Sequence, residues 1–516
     1  MNLGTSLCAN HGDFRKGSAF DGRLSGYSRL TSRLTAVLKR VDRYNAAAMN
    51  DVTPVPPDDA TLRIAVVGSG PAGFYTVQAL LQANDPPVSL DIFERLPTPF
   101  GLVRHGVAPD HQKIKSVTAI YEKLAADPRV RFFGNVEYGS DLSLTDLEAH
   151  YHGVVFSTGA QTDRRLGIPG EDLDGSHPAT EFVAWYNGHP DFTDLRFDLS
   201  CESAVVVGVG NVAVDVARIL CRSVEELAAT DIADHALEAL RASRIRRVYL
   251  LGRRGPAQAA FTNPEVKELG ELTGTETTAL VDEVELDPLS RELFDAGADK
   301  AVKRKLDILA GIAGRSQPDR ERKLVLRFLV SPVEILGRDG RVEAVRVVRN
   351  ELVRAGDGAI KARATEREER LEAGLVFRSV GYLGVPLVGL PFDEARGVIP
   401  NQAGRVTDGP GGSPQPGHYV AGWIKRGPSG VIGTNKADAH ETVRSMLEDV
   451  REGKMLRPTD ADPASIPALL EARGIRWLSY EDWRRLDGLE VAAGARQGRP
   501  RVKFIARDAV ARALNG

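Results

Sequence analysis

RIAVVGSGPAGFYTVQALL, Arg63 to Leu81, passes from an apolar run of strand length through three glycines into a segment of helical period. That order is the shape of a dinucleotide cradle. Gly68 supplies the tight turn, Gly70 the room for a pyrophosphate to approach the backbone, and Gly73 the close packing of helix on strand. The next apolar run, VSLDIFE, closes on Glu94, whose carboxylate suits a ribose 2′-hydroxyl and repels a 2′-phosphate. A tight strand-to-helix turn that binds nothing is the bland alternative. The apolar strand before the glycines and the acid after them favour a dinucleotide without a 2′-phosphate, FAD or NAD.

SAVVVGVGNVAVDVARIL, Ser203 to Leu220, repeats the grammar with Gly208, Gly210 and Ala213. Its following strand ends differently, on Gly252-Arg253-Arg254-Gly255. Two guanidiniums match a phosphate dianion, so this cradle is expected to take NADP; a solvated basic turn is the alternative. One chain holding both kinds of dinucleotide reads as a flavin oxidoreductase, with FAD the resident electron store and NADPH the exchangeable hydride donor.

At 516 residues the chain exceeds one compact core, so about two or three domains are expected. A net charge of -3 gives no global attraction to nucleic acid or acidic membranes. No apolar run reaches the roughly eighteen residues of a membrane span, so no integral membrane association is expected. Cys8, Cys201 and Cys221 lie too far apart for a CxxC pair, a clustered metal site or an iron–sulfur cluster, and they fit a reducing compartment. The first fifty residues are Arg- and Ser-rich. They read either as a transit peptide, which implies the mitochondrial matrix, or as a dispensable extension ending near Met49 before the linker DVTPVPPDD. The second reading is adopted, with a cytoplasmic monomer expected.

VVFSTGA, Val154 to Ala160, and LVFRSVGYLG, Leu375 to Gly384, mirror one another and mark two crossings between domains. The fold class is therefore α/β, two Rossmann-like dinucleotide-binding domains with the NADP domain inserted in the FAD domain. The expected division is 1–60 extension and linker, disordered; 61–164 first part of the FAD domain; 165–378 NADP domain; 379–516 second part of the FAD domain with the C-terminal segment. VRFFGNVEYG is read as one strand. Glu283 to Arg378 is read as an edge of the NADP domain, mixing charged helix with alternating strands such as KLVLRFLVSPVEIL and VEAVRVVRN. Near the C-terminus, GHYVAGWIKRGPSGVIGTNKADAHETV gives a strand, then Trp423, then a glycine-rich turn into a helix from about Thr434. Such a turn would aim backbone N–H groups at the flavin and ribityl region. Trp423 could equally be a core aromatic.

GSGPAGFYT, PFGLVRHGVAPDH, EFVAWYNG, GVGNVAVDVARIL, GRRGPAQAAFT and GWIKRGPSGVIGT, in that order, resemble the motifs of the adrenodoxin reductase family of ferredoxin–NADP reductases. The resemblance runs from about Arg63 to EARGIRWLSYEDWRRLD and leaves the leader uncovered. It implies FAD contacts at Ala72, at Glu94, at Leu102, at the backbone near Tyr138, and at Trp423 with Gly430, Val431 and Ile432. Tyr138 departs from the Val common in relatives, which a backbone contact would survive. It implies NADP contacts at Val209, Gly210, Asn211 and Val212, at Arg253 and Arg254, at Glu265, and at Gly430 beside the nicotinamide. His111 and Asp215 match a His and an Asp placed close to the flavin, where a charge-coupled pair is implied. The plainer readings are a helix cap for His111 and an interior helix acid for Asp215.

The implied activity is that of a ferredoxin–NADP(+) reductase, or of an adrenodoxin reductase as its variant. NADPH reduces FAD, and the electrons pass singly to a ferredoxin or adrenodoxin-like iron–sulfur protein. Ferredoxins are usually acidic, so KAVKRKLD, with Lys300, Lys303, Arg304 and Lys305, is a candidate docking surface; a solvated helix face is the alternative. A disulfide reductase shares both cradles but requires a redox-active cysteine pair that is missing here. An NADPH-dependent flavin monooxygenase and a regulatory nucleotide-binding protein without turnover stay open. A yellow protein that NADPH bleaches would exclude the second.

Overall fold

The computed structural model describes residues 61–297, 299–315 and 319–515; the leader, with both of its readings and its expected disorder, lies outside them. β1 (Leu62–Val67) is buried along its whole length, so both of its faces need covering, as in the middle of a parallel sheet. Parallel neighbours supply its edges: β2 (Val88–Glu94) on one side with β3 (Val130–Gly134) beyond, and β4 (Gly153–Phe156) on the other. Helix α1 (Pro71–Ala83) leaves the glycine turn and brings Phe74 and Val77 into one cluster with Ile64, Val66 and Tyr121. Ala65 and Val67 join Phe93, Phe133 and Ile424 in a separate cluster. Each large apolar side chain so buried contributes about 1.5–3 kcal/mol.

After β4 the chain crosses through β5 (Thr162–Asp163) into a second sheet. β6 (Ser176–Pro178), β7 (Ser203–Val207), β8 (Arg247–Gly252), β9 (Thr275–Ala279) and β10 (Arg322–Phe328) belong to it, and α2 (Asn211–Cys221) opens after β7 as α1 does after β1. β11 (Val330–Arg338), β12 (Arg341–Arg354) and β13 (Ile360–Glu372) then form an antiparallel sheet of their own, before β14 (Leu375–Arg378) returns between β6 and β7. The second sheet thus runs β6-β14-β7-β8-β10-β9, all parallel. The chain leaves through β15 (Tyr382–Leu383), which pairs antiparallel with β5, so the outgoing and returning segments are hydrogen-bonded to each other. β16 (Asn401–Gln402), β17 (Arg405–Thr407) and β18 (Pro414–Val420) complete the first sheet, β18 lying parallel to β4. Among the described residues, no helix is long and apolar enough to cross a membrane.

Two elements differ from the sequence reading. KLVLRFLVSPVEIL is not one strand. It breaks at Leu329, which adopts φ 56 and donates its N–H to Arg254 O at 3.1 Å, sending β10 and β11 into different sheets. The region read as an edge of the NADP domain instead places Val330, Ile335, Val345 and Val347 against Val205, Leu251 and Val376 of the second sheet. VRFFGNVEYG also stops early, at Gly134, because Asn135 turns the chain at φ 62.

Candidate active site

The two glycine turns have the same internal logic. A Cβ on Gly68, at φ +106, would lie 2.7 Å from Ser157 O; on Gly208, at φ +132, it would lie 2.1 Å from Ser379 O. Each first glycine therefore passes hard against the strand end that carries the chain across. A Cβ on Gly73 would lie 2.1 Å from Gly68 O, which is the close packing that the third glycine permits. Gly70 and Gly210 have nothing within 4 Å of that position. They also stand at the N-caps of α1 and α2, and neither helix start carries a side-chain cap. First-turn N–H groups thus point out uncapped beside an open backbone, which is the chemistry of a pyrophosphate site. Both turns line one cavity of about 1760 Å³.

At the first cradle, Glu94 ends β2 buried on the cavity wall. Its carboxylate accepts from Ser69 N at 3.1 Å, Ser69 Oγ at 2.7 Å and Leu96 N at 3.0 Å. At the second cradle, Arg253 and Arg254 follow β8 on the same cavity. Their carbonyls accept from Asn350 Nδ2 at 2.8 Å and Leu329 N at 3.1 Å. Neither guanidinium has a hydrogen bond or ion pair among the described residues. The break at Leu329 thus fixes the backbone that presents two unsatisfied cations.

A third such cation, Arg164, was not found in the sequence. It lines the cavity, its guanidinium is also without a partner among the described residues, and its backbone N–H donates to Gly381 O at 2.9 Å. Only the β5–β15 pairing brings it there; no local motif marks it.

Trp423 is half-buried on the cavity wall rather than a core aromatic. Its indole Nε1 donates to Ser429 O at 3.2 Å and its ring lies 5.5 Å from that of Tyr382. Gly422, at φ +81, lets this turn pack on α1, where a Cβ would lie 2.5 Å from Ala72 Cβ. Ala72, Leu102, Tyr138, Gly430, Val431 and Ile432 line the same cavity, as do Val209, Asn211 and Val212. The Tyr138 hydroxyl donates to Val388 O at 2.5 Å, and burial pushes its phenol up.

His111 and Asp215 do meet at the cavity, but they are not each other's main partners. Their nearest N···O distance is 3.9 Å, whereas His111 Nε2 lies 2.9 Å from Glu268 Oε2. Asp215 instead accepts from Arg218 Nη2 at 2.7 Å. His111 occupies the N-cap position of the short helix Gln112–Lys115 without a side-chain cap bond. Glu268 was missed, although it stands one turn beyond Glu265 on α3 (Asn263–Leu269), a spacing that puts both acids on one helix face. Burial raises the carboxyls of both Asp215 and Glu265; that of Glu265 is pushed up to about 7, with the neighbouring Asp215 carboxylate adding to the effect.

The proposed docking run needs one correction. On α4 (Lys300–Ala313), Lys300, Lys303 and Arg304 are exposed. Lys305 is buried, donates from Nζ to Ala259 O, and lies 5.5 Å over the Phe261 ring. With Leu309 and Ile312 it forms the helix's inward stripe, so the helical period removes it from the surface.

Residues 62–250 match a family model described as pyridine nucleotide-disulphide oxidoreductase. Over 450 residues the chain is 49% identical to the NADPH-ferredoxin reductase FprA of Mycobacterium tuberculosis, covering 86% of this chain and 96% of that one. It is 43% identical over 464 residues to the mitochondrial NADPH:adrenodoxin oxidoreductase of Arabidopsis thaliana, covering 88% and 96%. The solved structure of M. tuberculosis FprA in complex with NADPH superposes with a TM-score of 0.83 at 46% identity, covering 89% of this chain and all of that one. The chain belongs to the adrenodoxin reductase family of FprA-like NADPH–ferredoxin reductases.

Proposed function

We infer that the chain is an NADPH:ferredoxin oxidoreductase that binds FAD and NADP(H). The observation that carries this reading is that two cradles of opposite phosphate preference open on one cavity. The first fits FAD: Gly70 leaves the backbone bare for the pyrophosphate, and the ribose end meets an acceptor that three donors already hold in place. The second fits NADPH through Gly210 and the free guanidiniums of Arg253 and Arg254. Bound FAD supplies acceptance of a hydride and release of electrons one at a time. No side-chain nucleophile is needed. The chain's residues bind, orient and exclude water: Trp423 and the Gly430–Ile432 turn would wall the flavin end, and His111 stands at the cavity hydrogen-bonded to Glu268 behind it.

The partner is a ferredoxin-type iron–sulfur protein, which docks on the exposed face of α4. Reversing the charge of Lys300, Lys303 and Arg304 to Glu should raise the KM for an acidic ferredoxin about tenfold or more at low salt, with the difference shrinking as salt is added. Lys305→Met should leave that KM unchanged. The assay is NADPH-driven reduction of cytochrome c that depends on added ferredoxin. Equal KM values for the reversed and native proteins would remove α4 from the docking surface; cytochrome reduction indifferent to ferredoxin would argue against the partner class.

A further inference from the structure

Arg218 is a buried arginine beside the cavity that hydride transfer itself does not call for. It sits on α2 with its side chain wholly buried, away from the cavity wall. Its Nε and Nη2 donate to both oxygens of Asp110 at 2.7 and 3.0 Å, and Nη2 also donates to Asp215 at 2.7 Å. Nη1 donates to Glu265 at 3.3 Å and stands 3.9 Å from Glu268. Arg222, the residue that ends α2, adds a bond to Asp110 at 2.8 Å. A guanidinium is the group suited to such sharing, since its planar fork offers five donors in fixed directions.

These partners come from different parts of the chain. Asp110 and His111 lie on the loop between β2 and β3 of the first sheet; Asp215, Glu265 and Glu268 lie on α2 and α3 beside the second. Asp110 is covalently next to His111, so the fork that grips Asp110 also fixes the backbone from which the His111 ring reaches Glu268. The acids are matched to this grip. Burial raises the Asp110 carboxyl, but the hydrogen bonds and charge of Arg218, with Arg222, outweigh it and hold it down at about 2. Among the described residues, Arg218 forms ion pairs with Asp110, Asp215, Glu265 and Glu268, and Arg222 adds one with Asp110.

We propose that Arg218 is a positioning residue for hydride transfer: by bridging Asp110 to Asp215 and Glu265 it closes the two sides of the cavity on each other and sets His111 in place. The inference rests on the reading of the chain as an NADPH-oxidising flavoprotein. It separates the geometry of the reacting ends, which Arg218 controls, from the phosphate contacts of the second cradle at Gly210, Arg253 and Arg254, which it does not touch.

The test compares FAD-loaded native protein with Arg218→Gln, Arg218→Lys and Asp110→Asn, measuring the rate of flavin bleaching at saturating NADPH and the Kd for NADP+. Misplacement of reacting groups by about an ångström costs up to roughly a hundredfold in rate, so Arg218→Gln and Asp110→Asn should bleach about ten- to a hundredfold more slowly. Their FAD content and Kd for NADP+ should stay within about threefold, because the affinity resides in Gly210, Arg253 and Arg254. Arg218→Lys keeps the charge but not the fork and should recover only part of the rate. Loss of the guanidinium also lets Asp215 and Glu265 keep their protons to higher pH, so the pH profile of bleaching in Arg218→Gln should move upward. A purely structural role would leave that profile in place. Bleaching within twofold of native in FAD-replete Asp110→Asn and Arg218→Gln overturns the proposal, and so does a Kd that rises in step with the rate loss. Should Arg218→Gln fail to hold FAD, the near-isosteric Asp110→Asn decides alone. Failure of the native protein to bleach would strike the enzyme reading instead.

Discussion

Replacement of both Arg253 and Arg254 by alanine is expected to raise the KM for NADPH by about two orders of magnitude while leaving that for NADH within about threefold. Neither guanidinium has a partner among the described residues. Their removal therefore breaks no internal ion pair and leaves no buried charge behind. What is lost is the pair of charge-assisted bonds to the 2′-phosphate, worth about 1.5–3 kcal/mol each where partly desolvated. NADH lacks that phosphate and loses nothing. The turnover number at saturation should change little, since the 2′-phosphate lies at the far end of the coenzyme from the hydride. Steady-state kinetics with both coenzymes read the difference. Equal losses with NADPH and NADH would make the arginines structural and withdraw the main support for NADP at this cradle.

Gly70→Val should give a folded but colourless protein. Gly70 has φ -77 and ψ -175, which valine adopts without strain, and its Cβ would project into open space. The fold has no reason to resist the change, but the pyrophosphate of FAD does: two methyl groups would stand where it must approach the backbone N–H groups at the start of α1. Loss of about two charge-assisted bonds of roughly 1.5–3 kcal/mol each should lower FAD occupancy after purification to about a tenth or less. Gly68→Val is the contrasting change. Its Cβ would meet Ser157 O at 2.7 Å from a residue at φ +106, and the protein should fail to fold. Absorbance gives FAD content and circular dichroism the fold. A yellow Gly70→Val protein with full FAD would mean that the flavin does not enter through this cradle.

What could be read in the sequence was local. The glycine spacings, Glu94 and the Arg253–Arg254 pair each sit within one strand–turn–helix–strand unit, so phosphate recognition is written in neighbouring residues. The ion network was not local. Arg218 reads as one more polar residue on an amphipathic helix, and its bidentate partner Asp110 lies 108 residues earlier. His111 finds Glu268 across 157 residues. Arg164 reaches the cavity only because β5 pairs with β15. Lys305 differs for another reason: a run of charges reads as a surface until the 3.6-residue period is applied, which turns Lys305 inward with Leu309 and Ile312. KLVLRFLVSPVEIL looked like one strand because its alternation continues across Leu329, and nothing in the residue type announces a φ of 56.

That one cavity brings NADPH and FAD together is tested by anaerobic titration of the purified protein with NADPH, following the visible flavin band. The expected result is bleaching that is complete near one NADPH per flavin, far less at the same concentration of NADH, and return of colour when oxidised ferredoxin is added. A protein that carries its full complement of FAD and stays yellow under excess NADPH would contradict it.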